Sequence, residues 1–141
     1  MHPNSRMYLS IIIPAYNEEK RLLKTILEID EYLKKQNYDS EIIVVSDGSK
    51  DKTAEVIRGL ISDIKNLRLI DNKENHGKGF VARQGLLEAK GDYRLFTDAD
   101  NSTSIGQIEK MWPEFENGFD IVIGSRDIKG AVLDPPQPWL R

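Results

Sequence analysis

The feature that most constrains this chain is a repeated change of hydrophobic period. Short apolar runs rich in β-branched residues lie at 8–13 (YLSIII), 41–46 (EIIVVS) and 67–71 (LRLID). Between them, apolar residues recur every three to four positions, which is the spacing of an amphipathic helix. Leu22, Leu23, Ile26, Leu27 and Leu33 mark a first helix running to about Lys35, with Asn17 as its expected N-cap and Glu18 and Glu19 in its first turn. Val56, Ile57, Leu60, Ile61 and Ile64 mark a second helix, and 80–89 a third that Gly91 closes off. A fourth strand is expected at 92–97 (DYRLFT) and a fifth at 119–123. Between these two, Ser104 is placed to cap a helix with Ile105, Ile108, Met111, Trp112 and Phe115 on one face, Trp112 and Phe115 reading as core.

Strand and helix alternating in this way predict an α/β fold with a mostly parallel sheet and right-handed crossovers. Ligands of such sheets sit beyond the carboxyl ends of the strands. The polar strand exits PAYNEE, SDGSKD, NKENHGKG, DADNST and GSRD are therefore expected along one edge.

Composition narrows the function classes. The 141 residues are 39% hydrophobic and 30% charged, which suits one globular domain. A net charge of −3 with interspersed signs argues against a nucleic-acid partner. The chain has no cysteine, so a disulfide framework and a thiolate metal site are both excluded. Its opening MHPNSRMYLS lacks the apolar core of a secretory signal, and no apolar run reaches the length of a membrane span.

Three of the exits carry residues suited to chemistry. In DADN, Asp98 and Asp100 are two apart on an extended segment and so can face one ligand. Hard carboxylate oxygens suit Mg²⁺ or Mn²⁺, although an isolated D-x-D triplet more often ends a strand and caps a helix. A calcium loop starting at Asp98 is excluded: its sixth position is Thr103 where glycine is required, although Glu109 fills the twelfth. Asp47 either makes a turn with Gly48 or accepts hydrogen bonds from a nucleobase or ribose, and Ser49 or Asp51 can cap the helix that follows. HGKGFVAR offers close backbone approach, the cations Lys78 and Arg83, and a helix N-terminus, features that suit a diphosphate. It matches neither the dinucleotide fingerprint nor the Walker loop. His76 reads as a loop residue, not a metal ligand, and Arg126 as a salt-bridge residue or a phosphate ligand.

Taken in order, IIIPAYNEE, VVSDGSKDKT, NHGKGFVARQG and FTDADNST resemble family 2 glycosyltransferases of the GT-A (Rossmann-like) fold. GSR and PQPWLR narrow the resemblance to the branch that moves a hexose from a nucleotide sugar to dolichyl or another polyprenyl phosphate. The resemblance covers the chain from about residue 8 onward. It implies a leader at 1–7 and one nucleotide-sugar-binding domain over 8–141, with the acceptor and membrane-facing part missing beyond Arg141. It further implies that Pro14, Ala15, Tyr16 and Glu18 line the nucleoside pocket, with Val45 and Asp47 beside the base. Asp98, Ala99 and Asp100 would be the D-x-D segment, with Asp98 and Asp100 holding Mg²⁺ or Mn²⁺ against the donor diphosphate. Ser102 stands where relatives often have a metal-shell Gln, and Ser46 where many have a first Asp. Arg126 would reach the donor diphosphate or the acceptor phosphate with Lys78 nearby, Asp100 and Arg126 being the implied catalytic pair.

The implied reaction is a metal-dependent inverting transfer from UDP-glucose or GDP-mannose, with NEEKRL and SDGSKDKT closer to the glucosyl branch. A cytoplasmic location is implied, with peripheral or integral membrane association of the full-length protein. Two other readings stay open: a family 2 enzyme acting on polysaccharide or another acceptor, and a fragment that binds nucleotide sugar without transferring it.

Overall fold

A computed structural model describes residues 8–125 and 128–132 of the chain. Contacts among them fall into two compact units, divided in sequence between Ile105 and Gly106.

The first unit is the expected α/β sheet. Its elements are β1 (Leu9–Ala15), α1 (Leu22–Leu33), β2 (Ser40–Asp47), α2 (Thr53–Leu60), β3 (Leu67–Asn72), α3 (Lys78–Glu88) and β4 (Tyr93–Phe96). The four strands lie in the order β3-β2-β1-β4, every pairing parallel. The chain winds outward from β1 through β2 to β3, then returns across the sheet to place β4 on the other side of β1. That reversal requires α3 to cross the face opposite α1 and α2.

Alternation along β1 and β2 serves the two faces separately. Ile12, Ile43 and Val45 pack with Val81 and Ala89 under α3, all buried. Ile11, Ile13, Ile42 and Val44, also fully buried, point to the other face, that of α1 and α2, which bury Leu22, Ile26, Ile29 and Ile57. Burial on both faces explains why these strands read as continuous apolar runs. Helix α3 sits close to the sheet because Gly85 lacks a side chain. A Cβ there would lie 2.5 Å from Ile12 Cγ2 and 3.0 Å from Val45 Cγ2.

Asn17 does not cap α1. It adopts a left-handed φ of 53°, its side-chain oxygen accepts the Lys50 amide at 2.9 Å, and the helix starts only at Leu22. Further bonds fasten the β1 exit to the β2 exit: Glu18 N–H donates to Thr53 Oγ1 at 2.8 Å, Glu19 N–H to Asp51 Oδ2 at 3.2 Å, and Lys52 N–H to Glu19 Oε2 at 2.9 Å. Asp51 also accepts the Thr53 amide at 2.9 Å, at the start of α2. Burial pushes the Asp51 carboxyl up, but its bonds from Thr53 and the Glu19 amide outweigh this and hold it below its usual value. The acidic and hydroxyl residues of these loops are thus used largely to join one loop to the other.

The second unit departs from expectation. In place of one amphipathic helix from Ser104, a 3₁₀ stretch (Ile105–Lys110) leads to the short α4 (Trp112–Glu116). Pro113 is the cause, because a continuous helix would set its ring against the carbonyl four residues earlier. It sits instead in the first turn of α4, where no N–H is needed. Trp112 and Phe115 are half-buried, with ring centroids 6.2 Å apart. The strand expected at 119–123 is not formed. Phe119, Ile121 and Ile123 are exposed, and no described strand pairs with them. With no paired ladder among the described residues, β propensity alone does not make a strand.

Candidate functional site

The strand exits of the first unit converge on a cavity of about 320 Å³, within the range of small-molecule sites. It opens at the carboxyl ends of β1 and β4, where the strand order reverses. Pro14, Ala15, Tyr16 and Glu18 line it from β1 and its exit, Asp47 from the end of β2, and Asp98, Ala99 and Asp100 from the exit of β4. The start of α3 and the loop before it add Asn75, Gly77, Lys78 and Val81.

Asp47 is 2% exposed, and both of its carboxylate oxygens bind backbone. Oδ1 accepts His76 N–H at 2.7 Å and Oδ2 accepts Gly77 N–H at 2.9 Å, while its carbonyl accepts Asn75 Nδ2 at 3.2 Å. The residue therefore fixes the 75–77 loop and through it the N-terminus of α3. Gly48 permits this close approach: it has a φ of 67°, and a Cβ there would lie 2.6 Å from the Glu74 carbonyl carbon.

The two aspartates are held differently. Asp98 Oδ1 takes Lys78 Nζ at 2.5 Å, and the same ammonium lies 5.5 Å from the Phe96 ring centre. Asp100 Oδ1 accepts Ser102 N–H at 3.0 Å, and its Oδ2 lies 3.9 Å from Arg21 Nη1. The Ser102 amide, then its hydroxyl and the Arg21 charge, hold the Asp100 carboxyl below its usual value despite partial burial. Behind the pair, Thr25 Oγ1 donates to the Ala99 carbonyl at 2.7 Å, and Asn101 Nδ2 bonds Glu28. Helix α1 thus sets the backbone between the two carboxylates.

Among the described residues, no group of three or more His, Cys, Asp or Glu converges. A divalent cation at Asp98 and Asp100 would have two protein carboxylates and would take its other ligands from substrate oxygens and water. That donor set fits Mg²⁺ or Mn²⁺ beside a diphosphate.

Several expected residues lie elsewhere. Val45 is fully buried in the core beneath α3, and Arg83 is exposed on that helix away from the cavity. Ser102 is exposed and reaches the site through Asp100. His76 is exposed with its ring centre 4.6 Å from that of Phe80. Arg126 and the run PQPWLR lie outside the described residues. Arg21, which the sequence reading did not single out, does not line the cavity but contacts two residues that do. Its Nη2 and Nε donate to the two Glu18 carboxylate oxygens at 2.7 and 2.8 Å, with Asp100 beside them. The available signal was its position three residues after Glu18 in NEEKRL.

A doubly wound parallel sheet with an acidic pair, a lysine and a helix N-terminus at its switch point is an arrangement whose chemistry suits a phosphorylated ligand. The chain belongs to glycosyl transferase family 2, whose family model matches residues 10–138. A dolichyl-phosphate beta-glucosyltransferase of Trichomonas vaginalis is 40% identical over 133 residues, covering 87% of this chain and 41% of that protein. A human protein of the same name is 36% identical over 134 residues, covering 84% of this chain and 40% of that one. The chain thus spans about 40% of the length of these relatives.

Solved structures agree in fold. Staphylococcus aureus TarS in complex with UDP-GlcNAc aligns with a TM-score of 0.62 at 26% identity, over 79% of this chain and 31% of that one. The mannosyltransferase PcManGT of Pyrobaculum calidifontis, in complex with GDP-Man and Mn²⁺, aligns with a TM-score of 0.58 at 30% identity, over 70% and 29%. The α/β architecture expected from the sequence is therefore that of a GT-A glycosyltransferase.

Proposed function

We propose that this chain is the donor-binding part of a glycosyltransferase that moves glucose from UDP-glucose to dolichyl phosphate. The observation that carries the reading is the Asp98–Asp100 pair beside Lys78 and the N-terminus of α3, in one cavity with Tyr16 and Glu18. The acceptor and the sugar rest on the relatives' names. The identity to a GDP-Man complex makes GDP-mannose the competing donor.

In this reading the nucleoside lies against Pro14, Ala15, Tyr16 and Glu18, and the diphosphate lies between the acidic pair and α3. Mg²⁺ or Mn²⁺ at Asp98 and Asp100 would supply Lewis-acid stabilisation of the departing diphosphate. Lys78 and the α3 amides add positive potential on the same side. Asp47 contributes by fixing the loop that carries those amides, and Ser102 by holding Asp100. Arg126 is assigned to the donor diphosphate or the acceptor phosphate. The transfer is an inverting displacement at the anomeric carbon: the phosphate oxygen forms a new C–O bond, and the nucleoside diphosphate leaves with the electron pair of the old one. A phosphate monoester is anionic near neutral pH, so this acceptor needs no dedicated general base. Transfer and any membrane association are proposed for a protein of the relatives' full length. Among the described residues, no helix is long and apolar enough to cross a membrane.

The test is titration calorimetry of this chain with UDP-glucose and GDP-mannose, with and without Mn²⁺. Metal-dependent binding of UDP-glucose, lost in Asp100→Ala with an unchanged circular dichroism spectrum, is the expected result. Failure to bind either nucleotide sugar would overturn the reading, and tighter binding of GDP-mannose would reassign the donor.

A further inference from the structure

Both carboxylates of the acidic pair already face cations of the protein, and the two cations come from different elements. Lys78, the first residue of α3, reaches Asp98, and Arg21, just ahead of α1, stands beside Asp100. The two are not equally free to leave. Both side chains are exposed, Lys78 by 62% and Arg21 by 58%, so burial holds neither; Lys78, a point charge on a flexible stem, is the more readily exchanged. Arg21 is forked onto both oxygens of Glu18, whose backbone N–H is itself fixed by Thr53. Its guanidinium cannot turn from Asp100 without giving up a bidentate pair.

A divalent cation arriving alone would have to displace Lys78 and then remain close to a fixed guanidinium. A divalent cation arriving with a diphosphate meets a different balance. The phosphates bring compensating negative charge, and Lys78 gains a new anionic partner as it leaves Asp98.

We propose that Arg21 and Lys78 act as counter-ions that make cation loading at Asp98 and Asp100 conditional on a bound nucleoside diphosphate. The inference rests on the donor-binding reading above and adds an order of assembly to it. Cation and nucleotide then bind with reciprocal positive coupling, each tightening the other by the same factor. Repulsion between a divalent ion and one cationic side chain about 5 Å away in a water-like medium is worth on the order of tenfold in affinity.

Mn²⁺ binding followed by electron paramagnetic resonance, with and without UDP, tests this without reference to transfer activity. The wild-type chain is expected to hold Mn²⁺ at least roughly tenfold more tightly with UDP than without it. Arg21→Gln and Lys78→Gln should each tighten the binding of Mn²⁺ alone by about threefold to tenfold and shrink the UDP effect. Arg21→Lys keeps the charge without the fork and should fall between wild type and Arg21→Gln, whereas loss of the Glu18 contact alone would make the two variants alike. The proposal is overturned if wild type holds Mn²⁺ equally well without UDP, or if Arg21→Gln and Arg21→Lys bind it alike. Should Arg21→Gln unfold, unchanged Mn²⁺ affinity in Lys78→Gln is equally fatal. No Mn²⁺ binding even with UDP would instead overturn the donor-binding reading beneath it, and this inference with it.

Discussion

Thr25 on α1 and Ala99 between the two aspartates are joined by a hydrogen bond of 2.7 Å, with both residues buried. The acidic pair thus hangs from the short β4 on one side and is pinned to a helix on the other. Thr25→Val keeps the shape, removes the donor and strands the Ala99 carbonyl, a loss of about 1–2 kcal/mol of stability. Thr25→Ser restores the donor and should recover most of it. Urea denaturation measures the loss, and calorimetry with UDP and Mn²⁺ should show weaker binding in the valine variant alone.

Asp47 makes a comparable prediction for the opposite wall. An Asn has one acceptor oxygen where the two amides of His76 and Gly77 need two, and its NH₂ group would face an N–H. Asp47→Asn should cost about 1–3 kcal/mol and free the 75–77 loop. Hydrogen exchange at His76 and Gly77 should accelerate while the amides of β1 and β2 keep their protection.

Glu41 makes stability pH-dependent from the far edge of the sheet. Burial pushes its carboxyl up, but the Ser10 hydroxyl at 2.6 Å, the Lys90 amide at 2.7 Å and Arg68 at 3.0 Å outweigh burial and hold it below its usual value. A depressed folded value means that the unfolded chain takes up the proton more readily. The group's contribution is therefore complete above the unfolded value of about 4.3 and is lost as pH falls through the folded one. Thermal denaturation from about pH 6 to about pH 3 should show the melting temperature falling. Glu41→Gln should be less stable near neutrality by about 1–3 kcal/mol, yet lose less on acidification.

Gly48 and Gly85 are expected to separate binding from packing. Gly85→Ala presses on Ile12 in the core and should cost about 1–3 kcal/mol without a direct effect on the cavity. Gly48→Ala meets backbone at a left-handed φ, so the 74–77 loop must move away. It should therefore weaken nucleotide binding more, relative to its effect on melting temperature, than Gly85→Ala does.

The four strands of the sheet were legible because burial on both faces writes long apolar runs into β1 and β2. The gathering of strand exits at one edge followed from the parallel topology. Legibility failed where an outcome depends on contacts between segments distant in sequence. Asn17 has good capping chemistry, but the β2 exit takes its side chain, and α1 then begins late enough to leave Arg21 beside Asp100. Val45 directly precedes the polar Ser46 and Asp47, yet it is packed into the core beneath α3. At 119–123 the composition favours a strand, and no local signal shows whether a partner strand is at hand.

The pairing of β1 with β4 has a kinetic consequence. Leu9 meets Tyr93 and Ile12 meets Phe96, so almost the whole first unit must be made before the last strand can close against the first. Closing so long a loop is slow compared with forming the neighbouring β1–β2 and β2–β3 crossovers. The cleft should then be the last part of the unit to appear. Pulse-labelled refolding is expected to protect amides of β2 before those of β4, and simultaneous protection would contradict that order. A nascent chain halted before Asp98 would carry its core strands and yet have no cavity for a nucleotide sugar to enter.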